Sequence, residues 1–258
     1  MLIGKAGAAR TSISTADAAS LTVRGRDLCG DLMGRLSFTE YFHLLVTGRE
    51  PTGTQRFFLD LLLVAIAEHG LVPTNQAARM TYAADPAALQ AAVAAGILGC
   101  GSVVLGTTEA CGKFLIQTRA RTAGGADLES LVTEIRDAGG RVPGFGHPLH
   151  KPVDPRAQRI MALAEERGAA GPHLALARHA EAVVPRVWGK PLPMNVSLPI
   201  AAVLLDLDFP PAILKGIPIL ARTASLLAHL AEESERPIGF LMAAAAEEAI
   251  GYDPAPDA

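Results

Sequence analysis

His147 and Arg156 stand nine residues apart in the stretch Pro143-Gly-Phe-Gly-His-Pro-Leu-His-Lys-Pro-Val-Asp-Pro-Arg156. An imidazole exchanges protons near neutral pH and a guanidinium grips carboxylates, so the pair suits acid/base work beside an anchored carboxylate. The elements that must position them are readable. Pro-Gly-x-Gly is loop, and its glycines let backbone and ligand approach closely. Asp154 is a good N-cap and Pro155 suits the first helical position, with Ile160, Leu163 and Ala164 following at helical spacing. Taken alone, such a segment is also what an ordinary turn with a solvated arginine looks like. Two further residues carry chemistry. Arg222 sits in the apolar run Leu220-Ala-Arg-Thr-Ala224, where a charge is costly unless paired or bound to an anion. His69 ends a hydrophobic helix just before Gly70, a place that commonly serves only the helix dipole.

At 258 residues the chain can bury a sizeable core as one domain or two. Half its residues are hydrophobic and 5% aromatic, with little β-alternation, which favours an all-α fold. A net charge of −3 without a basic run argues against a nucleic-acid surface. Cys29, Cys100 and Cys111 are scattered, so neither a disulfide framework nor a Cys-rich zinc site is expected; a reducing, cytoplasmic setting fits. The segment Met1-Leu-Ile-Gly-Lys carries no secretory h-region, and the apolar run 57–67 is too short to span a bilayer. No P-loop, dinucleotide fingerprint or required metal-ligand cluster is visible.

Helices are expected over 40–47, 54–69, 87–120 with a break near 99–106, 128–135, 155–167, 173–187, 198–207 and from Pro210-Pro211 onward. Ser37 or Thr39 caps the first of these, and Thr107 the resumed one. Residues 1–20 read as an arm and the chain from Tyr252 as a loose tail. Asp206 and Asp208 are expected at the surface.

Six segments in order resemble the citrate synthase superfamily: Glu68-His69, the loop Gly99–Gly106, Gly-Phe-Gly-His147…Asp-Pro-Arg156, Asn195-Val-Ser197, Ala-Arg222-Thr and Arg236-Pro. The wording His-Pro-Leu-His-Lys-Pro-Val-Asp-Pro-Arg is most similar to that superfamily's stand-alone citryl-CoA lyases, relatives of the C-terminal domain of ATP-citrate lyase. The resemblance implies a large helical domain (1–105 and 209–258) with an inserted smaller one (106–208), a homodimer, and a cleft that makes or breaks the bond between an acetyl-CoA unit and a 2-oxo acid. It implies His147 on the carbonyl or hydroxyl oxygen and His69 on a carboxylate or the proton. It further implies Arg156, Arg222, Asn195 and a partner subunit's copy of Arg236 on citrate-like carboxylates. Coenzyme A, as substrate and not as a bound cofactor, would lie along Pro143, Gly144, Phe145 and Gly146, with Lys151 near its phosphates.

Two positions depart from the pattern. The superfamily's loop has a histidine that donates to the thioester oxygen where this chain has Val104, and a glycine where it has Leu105; its Asn-Val-Asp base is here Ser197. Valine donates no hydrogen bond, and a serine hydroxyl is a far weaker base than a carboxylate. Three expectations follow: a citryl-CoA lyase using His69, His147 and Ser197, a relative acting on another acyl-CoA and 2-oxo acid, or an inactive CoA- or citrate-binding subunit.

Overall fold

The computed structural model describes residues 9–147 and 150–253. The chain divides into two compact units, 1–60 and 61–258.

In the first unit, β1 (Ser14–Ala16), β2 (Leu21–Val23) and β3 (Arg26–Asp27) form an antiparallel meander in the order β1-β2-β3. The expected arm is therefore partly sheet. The tight turn between β2 and β3 uses Arg24 and Gly25, both at positive φ, as a two-residue hairpin connection requires. A single π-helical stretch (Leu28–Leu32) leads to α1 (Phe38–Thr47). Ser37 is the N-cap, not Thr39: its side chain accepts from Glu40 N while the Glu40 carboxylate accepts from Ser37 N, a capping box. Gly48 closes α1 in the left-handed conformation. Val23, Leu32 and Leu44 form this unit's core.

α2 (Gly53–Ala67) runs up to the turn that carries His69. In the second unit, α3 (Pro73–Ala84), α4 (Leu89–Leu98), α10 (Gly216–Glu235) and α11 (Gly239–Ala249) pack on α3 as their common neighbour. Around α9 (Ser197–Asp206) pack α5 (Thr107–Ala123), α7 (Pro155–Glu166) and α8 (Pro172–Trp188), with α6 (Leu128–Asp137) against α8 and α5. Eight of the ten α9 residues are buried, which its near-continuous Leu/Ile/Val/Ala sequence dictates.

Segment 211–235 is long and apolar enough by length and composition to cross a membrane. Several of its polar groups instead pair with protein. Buried Arg79 on α3 pairs with Glu232 and, at 2.8 Å, with buried Glu233, and Ser225 donates to Glu68 at 2.5 Å. A second buried acid corrects the sequence expectation. The Asp206 side chain is not at the surface: it is 1% exposed and accepts from the Gly171, His173 and Leu174 backbone N–H groups, each at 2.9 Å. It caps the first turn of α8, whose orphan N–H groups need an acceptor.

Candidate active site

The loop before α7 and the loop before α9 are stitched together. Gly146 N donates to Pro193 O at 2.7 Å, Asn195 N to Gly144 O at 2.8 Å, and the Asn195 amide to Gly146 O at 3.0 Å. Asn195 Oδ1 also accepts from Ser197 N at 3.1 Å, so this residue orients the backbone on both sides of the junction. Gly144 is irreplaceable for two reasons: its φ is +85°, and a Cβ there would lie 2.7 Å from Leu198 Cβ and 2.9 Å from Cys111 Sγ.

Asp154 is the anchor of this junction. It is fully buried and caps α7. One oxygen accepts from Arg156 N (3.0 Å) and Nε (3.1 Å), the other from Arg156 Nη2 (2.9 Å) and Val196 N (3.1 Å). Burial pushes its carboxyl up, but the Arg156 side-chain bond and charge, the Arg156 backbone N–H and the His150 charge outweigh that and hold it below the ordinary value. The cap was legible in the sequence; its grip on Val196, forty-two residues on, was not.

These elements enclose a cleft of about 730 Å³ lined by His69, His147, Arg141, Arg156, Arg222, Asn195 and Ser197 among others. His69 Nε2 lies 3.4 Å from His147 Nε2 and the rings are stacked, centroids 5.4 Å apart. The turn carrying His69 is fixed by Glu68, which accepts from His69 N (2.8 Å) and Gly70 N (2.5 Å), and by Asn75, which donates to Gly70 O (2.7 Å). At His147, Nδ1 accepts the His150 backbone N–H at 2.9 Å. The neutral ring therefore carries its proton on Nε2, facing the cleft. His69 Nε2, opposite it, is then the acceptor. Burial lowers the pKa of both rings. At His69 the charges of Arg156, His150 and Arg222 add to this; at His147 His150, Arg156 and His69 do, with Asp154 opposing. In both rings the neutral form is favoured more than in a free imidazole.

Arg222 is 3% exposed and donates through Nη1 to Asn75 Oδ1 at 3.1 Å, while its Nε has no hydrogen-bond partner among the described residues. Burial lowers its pKa, opposed by Glu68 and Cys100. A buried guanidinium with an orphan N–H is an anion site. Among the described residues lining the cleft none is Asp or Glu.

The structure thus brings His69, His147, Ser197, Asn195, Arg156, Arg222 and the Pro143–Gly146 backbone to one cleft, with Val104 and Leu105 on its wall. It does not bring Lys151 or Arg236 there: both are exposed, Arg236 at the C-terminal end of α10. The sequence reading missed Arg141 in the lining, Glu68 and Asn75 as supports, and His150. The His69, His147 and His150 ligand atoms lie within 4.8 Å of one another, a spacing that could suit a metal ion. The bond at His147 Nδ1 argues for proton chemistry instead, because a neutral imidazole ligating through Nε2 would have to carry its proton on Nδ1.

Residues 54–239 match the citrate synthase C-terminal domain, and the chain belongs to the citrate synthase family. Its structure is similar to that of citryl-CoA lyase from Hydrogenobacter thermophilus, with a TM-score of 0.86, 29% identity, and coverage of 98% of this chain and 97% of that one. The ATP citrate lyase of Methanothrix soehngenii, solved with citrate and coenzyme A, shares the fold at a TM-score of 0.78 and 21% identity, over 99% of this chain and 43% of that one. In sequence, the citrate synthase of Synechocystis is 29% identical over 77% of this chain and 50% of its own length. The chain spans about half the length of the curated relatives it matches.

Proposed function

We propose that this chain is a citryl-CoA lyase, cleaving citryl-CoA to acetyl-CoA and oxaloacetate, with the reverse condensation through the same groups. The observation that carries the reading is the pair of facing imidazoles, Nε2 to Nε2 at 3.4 Å, set among arginines with no Asp or Glu among the described lining residues. Arg156 and Arg222 hold the carboxylates of the citryl group; the bidentate guanidinium geometry suits them. His147 Nε2–H donates to the tertiary hydroxyl oxygen, and His69 Nε2 takes the hydroxyl proton. The oxygen's electron pair closes the ketone of oxaloacetate, the C–C bond breaks, and its pair becomes the acetyl-CoA enolate. The proton returns to the enolate carbon, so cleavage releases none. Ser197, at the start of α9, contributes a hydroxyl contact near that carbon.

Coenzyme A lies along Pro143–Gly146 as a substrate and not a resident cofactor, its phosphates running out of the cleft to exposed Lys151. Within residues 61–258, the packing of α3, α4, α10 and α11 together and of α5–α9 together supports the division into 1–105 with 209–258 and 106–208. A cytoplasmic homodimer in which Arg236 reaches the partner's cleft is part of the proposal. Phe240 and Leu241, 73% and 67% exposed just beyond Arg236, supply an apolar face for such contact. A second reading, the same reaction on a different acyl-CoA and 2-oxo acid, is favoured by the apolar wall of Val103, Val104 and Leu105.

The test is thiol release and oxaloacetate formation from citryl-CoA, run beside condensation, with His147→Ala alongside. Turnover abolished by that change supports the lyase. No turnover from folded protein, with citrate still bound, moves the assignment to another acyl group or to an inactive binding subunit.

A further inference from the structure

The lyase reading leaves one charge without a stabiliser. As the C–C bond breaks, negative charge develops on the thioester oxygen, and the superfamily's imidazole donor at that loop is here Val104. The same loop offers a different donor. α5 begins at Thr107 without a side-chain cap, because Gly106, not Thr107, occupies the N-cap position. The first N–H taken up along the helix is that of Ala110, 3.4 Å from Gly106 O. The N–H groups of Thr107, Thr108 and Glu109 therefore lack intrahelical acceptors and sit at the positive end of a seventeen-residue helix.

The turn that presents them is unusual. Leu105 stands at φ +64° and Gly106 at φ −79°. Such a left-then-right succession curls consecutive N–H groups toward one point, an anion-binding nest. Gly106 is required there, since a Cβ would lie 2.4 Å from Gly101 O.

Two side-chain observations point independently to a ligand. Thr108 lines the cleft and is 1% exposed, yet its hydroxyl makes no hydrogen bond among the described residues. Arg222, lining the same cleft and 3% exposed, keeps its Nε unpartnered. Among the described residues the one fully buried side-chain polar atom left unsatisfied is Arg222 Nε; with the Thr108 hydroxyl in the same lining, the cleft suits an oxygen-rich occupant. With Arg222 on a carboxylate, Thr108 and the α5 N-terminus remain for a second oxygen. α5 packs on α9, whose first residue, Ser197, also lines the cleft.

We propose that the N-terminal turn of α5, with the Thr108 hydroxyl, is the oxyanion site for the acyl-CoA thioester, replacing the absent imidazole. This rests on the acyl-CoA reading given above. The electron pair of the breaking C–C bond runs onto the thioester oxygen, Thr108 and the N–H groups hold it there, and it returns when the enolate carbon is protonated. Val104 and Leu105, both apolar, keep water from competing for the same donors.

The experiment is infrared difference spectroscopy of [1-13C]acetyl-CoA bound to the full chain, beside citryl-CoA kinetics, for the parent, Thr108→Val and Thr108→Ser. Thr108→Ala replaces the valine variant should that one fail to fold. Donors polarise the carbonyl, so the bound stretch in the parent lies below that of free acetyl-CoA. Thr108→Val is expected to move it back toward the free value and to lower kcat by ~10²-fold, the usual cost of one oxyanion donor. The affinity for free CoA should stay within about twofold, and Thr108→Ser should restore both signals. An unmoved stretch in Thr108→Val overturns the proposal. So does a parallel loss of CoA affinity, which would make the turn a phosphate site. Either result with turnover retained leaves the lyase reading intact; a parent chain that binds no acyl-CoA defeats both.

Discussion

Asp154→Asn separates fold from function at the junction that builds the cleft. The carboxylate accepts four hydrogen bonds, two on each oxygen. Asparagine keeps one oxygen and turns the other into a donor facing Arg156 Nη2 and Val196 N, or facing Arg156 N and Nε. One charge-assisted bond, worth about 1.5–3 kcal/mol, is lost, and one backbone N–H is left unsatisfied at about 1–3 kcal/mol. The Arg156 side chain is 22% exposed, so water recovers part of this, leaving a loss of about 2–4 kcal/mol. For a chain of this size that is a drop of about 5–15 °C in Tm. The freed guanidinium also loses its orientation toward the cleft, so citrate affinity should fall about tenfold, the equivalent of about 1.4 kcal/mol.

Asp206→Asn is the matched control. Asp206 is equally buried and accepts three backbone N–H groups and His173 Nδ1, but touches no residue lining the cleft. It should cost a similar Tm and leave citrate affinity within about twofold. The assay is calorimetric titration of citrate at a temperature where all three proteins are folded. Asp206→Asn weakening citrate as much as Asp154→Asn would refute the positional argument, and an unchanged Tm in Asp154→Asn would refute the energetic one. The pH dependence adds a third check. The Asp154 carboxyl is held below its ordinary value, so its stabilisation is present above about pH 3.9 and is lost as pH falls through the lower folded value. Asp154→Asn should remove that part of the acid limb.

His69 and His147 are both held below the ordinary imidazole value, so turnover should stay flat from pH 8 down past about 6.5 and fall only as pH drops through the lowered values. Their stabilisation has the same sign, present above about pH 6.5 and lost below, and a pH–Tm series on His147→Ala should flatten accordingly. Gly144→Ala should cost about 2–5 kcal/mol, from left-handed strain plus the contacts with Leu198 and Cys111, whereas Gly146→Ala, also at positive φ but with open space around its Cβ, should cost only about 1–2 kcal/mol; denaturant titration ranks them. Ser197→Ala should lower kcat by no more than ~10-fold, because a hydroxyl is not the base; a loss beyond ~10³-fold would overturn the two-imidazole account.

Most helices were legible because their signals are local: apolar spacing, Ser37 with Glu40, Asp154 with Pro155, Gly48 and Gly70; α3, whose first turn has no side-chain cap, was not expected. The β-meander was not, because its three strands are only two or three residues long, with one hairpin turn as their only signal. Asp206 was misjudged because a single acid at a helix C-terminus reads as solvent-facing, and what buries it is the start of another helix thirty-two residues earlier in sequence. The site residues were legible through motif order and chemical type. Their roles were not, since those depend on contacts across the fold: which nitrogen of His147 meets the His150 N–H, and which atoms of Arg222 find partners.

The missing carboxylate has a consequence for both directions of the reaction. Groups that cleave citryl-CoA must also, by microscopic reversibility, assemble it. If His69 accepts the hydroxyl proton and the pair returns it to the enolate carbon, then in condensation the same neutral imidazole must take a methyl proton from acetyl-CoA. That step is demanding for a base whose pKa is lowered, as those of both imidazoles are. It becomes feasible only if the enolate is stabilised strongly as it forms. The burden shifts from the base to the oxyanion site, so a serine at 197 and a donor-rich α5 terminus are two halves of one arrangement. Substituting Thr108 should then slow acetyl-CoA methyl exchange in deuterated water at least as much as it slows citryl-CoA cleavage.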